Sequence, residues 1–434
     1  MNAVPPQPDA GAAGSTVTLN MLPERHLIRC SGSYRHILFT IHADERIGNR
    51  PPIRLALVLD RSGSMQGEKL TIAKQAAETV LDRLDERDQA ALVIFDAEID
   101  TLQQLAPVTA HMKAMVHEYL SKVDARSTTA LYEGWLTGCK AIAAKEVGAL
   151  KDMVSHCFLL TDGQANVGES DPEQIANKAA EVRRVTNIST STFGIGDYEA
   201  GLLHPMAVAG GGHYHYLRAA GEIASAFNGS TLDLLKVAVP GAWLELEFGP
   251  GVTADVVSGS RHTGEGEPGS WKEWLGDLLG GDERRLVVRF SFPRGGIGGT
   301  QMVRARLHWQ DAGAEQVGPW QELVFTYADG TACDAELARR DCEVMRWVGL
   351  HHADRARIEA TTRFEKGDEQ GAKEILRRVA RRIREYAGDD PALLGKIKEL
   401  EEDEYRLRDK NVRYTASRDL RGSRDHRAGP PATS

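Results

Sequence analysis

Asp60, Ser62 and Ser64 stand at alternate positions directly after an apolar run, Leu55-Ala56-Leu57-Val58-Leu59. A carboxylate and two hydroxyls at this spacing can turn inward around one hard cation, and Gly63 lets the turn between them tighten. Two neutral hydroxyls leave such an ion short of negative charge, a shortfall that a carboxylate from another molecule could make up. The alternative for the same three residues is a polar turn that caps the following helix, with Ser64 as its N-cap.

The surrounding chain sets where these side chains can stand. From residue 53 apolar strands alternate with helical stretches, a pattern that predicts a parallel sheet with helices on both faces. Strands are expected at 55–59, 91–95, 158–162, 188–194 and 213–217, with a short edge strand at 98–103. After the metal loop, Leu70, Ala73, Ala77, Val80, Leu81 and Leu84 form a stripe at helical spacing. Further helices are expected at 112–122, 131–145, 172–184, 199–209 and 221–235, with Pro172 suited to a first turn. In a doubly wound sheet, ligands bind beyond the carboxyl ends of the strands where the strand order reverses. Asp60 and Asp162 both end apolar strands, so a metal site at that point follows from the strand pattern.

The run from Asp60 to Ser64, with later Thr and Asp motifs in order, resembles the metal-ion-dependent adhesion site of the von Willebrand factor type A family. Ser127-Thr128-Thr129-Ala130-Leu131-Tyr132-Glu133-Gly134 stands at the family's Thr position, with Thr129 the better match and Thr128 second. Leu159-Leu160-Thr161-Asp162-Gly163 supplies the Asp. The stretches 191–197 and 210–216 resemble the fold's last two strands, so the likeness covers about residues 53–235. The resemblance implies a complete site: Ser62, Ser64 and Thr129 as direct ligands, Asp60 and Asp162 acting mainly through water. The implied ion is Mg²⁺, with Ca²⁺ or Mn²⁺ as alternatives.

Composition narrows the function classes. The 434 residues carry a net charge of −9, which argues against nucleic acid as the main partner. No stretch approaches the ~20 apolar residues of a membrane span. The N-terminal 15 residues, rich in Pro, Ala and Gly, read as a disordered tail without a secretory pattern. Five Cys without paired spacing read as reduced thiols, Cys139 in a helix and Cys157 in a strand, which favours a cytoplasmic protein. His213 with His215, and His351 with His352, lack further ligands at zinc spacing. There is no phosphate-binding Gly-x-x-x-x-Gly-Lys-Ser/Thr and no Gly-x-Ser-x-Gly elbow. A nucleophilic role for Ser62 or Ser64 would lack a nearby His base and would explain only one of the two serines.

Strands flank the central region. Those at 17–22, 26–30 and 34–43 are too few for a stable sheet, while 243–248, 286–292, 302–309 and 321–327 alternate with one face to cover. The expected solution is one antiparallel β-sandwich of residues 16–50 and 240–330, with the α/β domain (53–235) inserted between consecutive strands. Pro51-Pro52 and residues 236–240 would be its paired connectors, and the metal site would face away from the sandwich. Gly-rich 294–299 reads as a hairpin connection and not as a phosphate cradle, since no helix follows it.

A helical region is expected at 334–410: one helix from 335 into the 350s and on to 364, one at 370–387, one at 391–409. Arg377, Arg378, Arg381, Arg382 and Arg384 cover much of the second, and Glu399, Glu401, Glu402, Asp403 and Glu404 lie on the third. Weak exposed ion pairs between the two are the preferred reading, and a basic docking surface for an acidic partner or anionic lipid the sharper one. Residues 411–434 read as a second disordered tail.

The expected fold is thus α/β, a doubly wound, mostly parallel, Rossmann-like sheet inserted in a β-sandwich and followed by helices. The expected function is non-enzymatic: Mg²⁺-dependent protein binding, as adaptor or regulator in an intracellular assembly, to a partner offering Asp or Glu. Resemblance to bacterial members suggests an AAA+ ATPase or a signalling enzyme as that partner. The flanking strands and helical tail also resemble inter-alpha-trypsin-inhibitor-like and calcium-activated-chloride-channel-like bacterial and plant proteins of this superfamily. Without their secretion signal, membrane span or RING-type Cys/His cluster, the resemblance implies neither secretion, channel activity nor ubiquitin ligation. The alternatives are a metal-dependent hydrolase, which needs a general base, and a self-liganded module in which Glu401 or Glu402 fills the metal's open position.

Overall fold

The computed structural model describes residues 17–44, 50–143, 153–163, 166–196, 200–217, 236–257, 269–281, 283–311, 314–337 and 339–407. The terminal tails, the expected helix at 221–235, Asp197 and the ends of the helices expected to reach 145 and 409 lie outside these residues.

The central sheet has strands β4 (Ile53–Asp60), β5 (Gln89–Phe95), β6 (Ile99–Pro107), β7 (Val154–Thr161), β8 (Ile188–Ile195) and β9 (Gly211–Leu217). Their order is β6-β5-β4-β7-β8-β9, with β6 alone antiparallel. The order reverses between β4 and β7, so the carboxyl ends of these two neighbours are the switch point. Every residue of β4, β7 and β8 is buried, as strands covered on both faces require. Helices α1 (Glu68–Arg83) and α2 (Ala110–Ser121) cover one face; α3 (Leu131–Ile142), α4 (Pro172–Thr186) and α5 (Ala200–Ala209) cover the other. The predicted stripe of α1 is buried throughout. Asp171 caps α4, with Pro172 at its start as expected. Two glycines let α3 lie close: a Cβ on Gly138 would stand 2.2 Å from Val58 Cγ2, and one on Gly134 2.5 Å from Phe95 Cγ. This close approach fixes the loop that leads into α3 and carries Thr129.

The flanking strands do form one sandwich. One sheet runs β1 (Val17–Pro23), β3 (Ser33–Ala43), β13 (Glu283–Phe292), β11 (Thr253–Val256). The other runs β12 (Ser270–Leu279), β10 (Val237–Phe248), β14 (Thr300–Asp311), β16 (Gln321–Ala328), β2 (Leu27–Arg29), with β15 (Ala314–Val317) beside β14. Inward-facing Ile37, Phe39, Ile41, Leu244, Leu246, Val303, Ala305 and Phe325 share one apolar core. The central domain leaves after β3 and returns at β10. Gly281 N donates to Ala43 O and Gly280 N to Lys236 O, so exit and return meet at one turn.

Three expectations need correction here. Residues 237–240 are not a connector, because they already pair as β10 against β12. The 294–299 loop is not a hairpin: it joins β13 and β14, which lie in different sheets. The first C-terminal helix is two, α6 (Gly330–Leu337) and α7 (Cys342–Glu365); Asp341 starts the second by accepting from Val344 N.

Helices α7, α8 (Glu369–Ala387) and α9 (Pro391–Arg406) pack together through Ala353, Ala360, Leu376, Ile383 and Leu400. Val344 and Val348 of α7 seat this unit on Leu38 and Val287 of the sandwich. Arg377 pairs with Glu404 at 2.6 Å and Arg384 with Glu401 at 2.5 Å, both partly exposed and so individually weak. Of the carboxylates named in the self-liganded alternative, Glu401 pairs with Arg384 and Glu402 faces Lys398 at 3.7 Å on its own helix.

Candidate metal centre

Asp60 ends β4 and Asp162 follows β7, and both are 0% exposed. The chain turns sharply after Asp60 because its Oδ1 accepts from Ser62 N at 2.8 Å. A single 3-10 turn, Gly63–Met65, follows, anchored by the buried Met65. Ser64 is therefore not the N-cap of α1; that position is Gly67, with φ 84°. The capping alternative for the motif fails on this point.

The side chains converge. Ser62 Oγ and Ser64 Oγ lie 3.1 Å apart, and Ser64 Oγ donates to Asp162 Oδ1 at 3.1 Å. Thr161 Oγ1 donates to Asp60 Oδ2 at 2.5 Å and accepts from Gly163 N at 2.9 Å. The Thr129 loop is tied to the first turn: Gly63 N donates to Ser127 O at 2.9 Å, with Ser127 at φ 63°. Arg126 N donates to Arg61 O and Ala130 N to Asp96 O beside it. Thr129 is buried and its N–H donates to Asn166 Oδ1 at 2.7 Å, whereas Thr128 points into solvent, which favours Thr129 of the two. The floor is thus two buried carboxylates. The rim, with Gly63, Gln66, Ser127, Thr128 and Val167, is exposed.

Burial pushes the Asp60 carboxyl up to about 6, against the pull of the Thr161 and Ser62 hydrogen bonds and with a push from Asp162. A bound cation would remove that penalty. The donors are all hard oxygens, which fits Mg²⁺, Ca²⁺ or Mn²⁺ and not a soft ion. Among the described residues no group of three or more His, Cys, Asp or Glu side chains could hold a metal, so hydroxyls must complete any shell. The histidine pairs do other work: His215 stacks on Phe193, and His352 meets His36 edge-on.

Three participants escaped the sequence reading. Thr161 supplies the hydroxyl on Asp60, Asn166 holds the Thr129 peptide, and Lys69 Nζ stands 2.9 Å from Asp162 Oδ2. Thr161 adjoins a motif residue and could have been singled out; nothing local marks the other two.

A family model for the von Willebrand factor type A domain matches residues 55–228. An uncharacterized protein of Synechocystis, sll0103, is 28% identical over 342 residues, 76% of this chain and 79% of that one. Inter-alpha-trypsin inhibitor heavy chain H3 of Homo sapiens is 32% identical over 127 residues, 29% of this chain but only 14% of that protein's length. A solved structure described as von Willebrand factor type A from Catenulispora acidiphila superposes with a TM-score of 0.71 at 18% identity. It covers 95% of this chain and 97% of its own, so the three-part fold is shared. Residues 55–228 thus match the von Willebrand factor type A model, and the central domain has the von Willebrand factor type A fold.

Proposed function

We propose that the protein binds a partner protein through a divalent cation, Mg²⁺ by preference, held at the carboxyl ends of β4 and β7. The observation that carries this is the joining of Ser62 and Ser64 to Asp162 in one hydrogen-bonded set, with Asp162 and Asp60 both fully buried under an exposed rim. Ser62, Ser64 and Thr129 would hold the ion, with Asp60 and Asp162 behind them. Bound there, the ion supplies a positive, Lewis-acidic point to which an Asp or Glu of the partner adds the missing negative charge. The role is that of an adaptor or regulator in an intracellular assembly, with an AAA+ ATPase or a signalling enzyme as the partner class. The hydrolase alternative gains no support: the partners of Asp60 are hydroxyls and a peptide N–H, not a base.

Mg²⁺ should raise the melting temperature of the native protein by about 5 °C at a hundredfold excess over its dissociation constant. Thr129→Ala should not respond, and chelator should reverse the native shift. An equal shift in both proteins would remove these residues from any metal site.

A further inference from the structure

The Lys69 ammonium sits on the same carboxylate that the site uses. It reaches Asp162 Oδ2 at 2.9 Å, while Asp162 Oδ1 takes the Ser64 hydroxyl. The two ends differ in access: the Lys69 side chain is 24% exposed and Asp162 is 0%. Lys69 thus reaches inward from the rim to the floor. It does so from the first turn of α1, where the positive end of the helix disfavours a cation. Its stem crosses Gly196 at the end of β8, where φ is 66° and a Cβ would stand 2.7 Å from Lys69 Cε. A side chain at 196 would crowd the path that brings the ammonium in.

The charges add up simply. Among the described residues, Asp60 and Asp162 bring two negative charges when ionised, and Lys69 returns one positive. An incoming dication therefore meets a like charge already seated on one of its two carboxylates. Without the ion, the ammonium offsets the charge of a fully buried carboxylate.

We propose that Lys69 is the resident counter-cation of the site, which holds Asp162 while no ion is bound and competes with the ion for that carboxylate. The proposal rests on the metal-binding reading above. Lys69 acts as an internal brake on metal affinity, so the ion alone fills the site weakly and an anionic partner strengthens its hold. The partner's carboxylate then supplies what Lys69 subtracts.

The test uses the full chain with Mn²⁺ alone, its binding followed by loss of the free-ion electron paramagnetic resonance signal. Lys69→Met keeps the stem and removes the charge. It should bind Mn²⁺ at least about tenfold more tightly than native protein. Without metal it should melt lower than native protein, and saturating Mn²⁺ should abolish that deficit. Lys69→Arg, which keeps the charge, should retain affinity within about threefold of native. In metal-free Asp162→Asn protein, adding Lys69→Met should no longer lower the melting temperature, since the pair is already broken. Unchanged or weaker Mn²⁺ binding by Lys69→Met, with native protein still binding, overturns the proposal alone. Failure of native protein and Lys69→Met alike to take up Mn²⁺ overturns the metal reading and the proposal with it.

Discussion

Asp60→Asn is expected to make the metal-free protein more stable at pH 7, by about 2 kcal/mol. The Asp60 carboxyl is raised to about 6 by burial, against an ordinary value of 3.8. A raised acid binds its proton more tightly in the folded state than in the unfolded state. Stability is therefore undiminished below about pH 4, falls as pH climbs through 6, and stays reduced above it. A rise of that size is worth about 3 kcal/mol. Asparagine cannot accept both hydrogen bonds that Asp60 accepts from Ser62 N and Thr161 Oγ1, which costs about 1 kcal/mol in return. Urea unfolding in chelator from pH 4 to 8 should show the variant's advantage opening between pH 4 and 6 and level by 7. A variant less stable than native protein at pH 7 would show that the buried charge is not the dominant cost. Saturating Mg²⁺ should reverse the order, because only the native residue gains from the ion. A residue that lowers stability until a ligand arrives is what a binding site, and not a scaffold, requires.

Removal of residues 1–44 is expected to unfold the sandwich and spare the central domain, because Arg50, which pairs at 2.6 Å with the buried Asp88 of that domain, is kept. The cut deletes β1, β2 and β3, and β3 pairs on one side with β1 and on the other with β13. What stays of that sheet is β11 with β13, a two-stranded remnant that is marginal in water. Ile37, Phe39 and Ile41 leave the shared core with it, and Leu38 leaves the seat of α7. A buried Phe alone is worth about 3–5 kcal/mol, so the loss exceeds the stability of an ordinary domain. Calorimetry should lose one transition and apolar dye should bind, while a second transition still rises with Mg²⁺. A melting profile like that of the full chain would mean that β1 to β3 are an appendage.

Much of this architecture was legible because periodicity carries it. The buried runs at 55–59 and 158–162 admit little besides inner parallel strands, and alternation from 302 to 309 separates Val303, Ala305 and Leu307 from their outward neighbours. Strand β12 was missed because Trp271-Lys272-Glu273-Trp274 does not alternate and Gly276, at φ 76°, breaks the run. The irregular pairing of β12 with β10, shifted between Val239 and Ala242, is its counterpart. β11 and β15, four residues each, are too short for a pattern to show. The 294–299 loop was misread since sequence shows that strands flank it but not that they lie in different sheets. At the site, the spacing of Asp60, Ser62 and Ser64 is local and visible. Lys69 on Asp162 and Asn166 on Thr129 are contacts across 93 and 37 residues, which only the fold creates.

The turn at Gly280 and Gly281, which bonds both Ala43 and Lys236, has a mechanical meaning. Tension applied between the two ends of the chain enters through the sandwich on one side and the α7–α9 helices on the other. Because the two chain passages into the inserted domain are clasped at one point, the load is shunted across that clasp and the insert carries none. The inserted domain would then hold its shape under strain until the sandwich itself tears. In a single-molecule pulling trace the sandwich should rupture before the central domain extends; the reverse order would show that the clasp does not bear load.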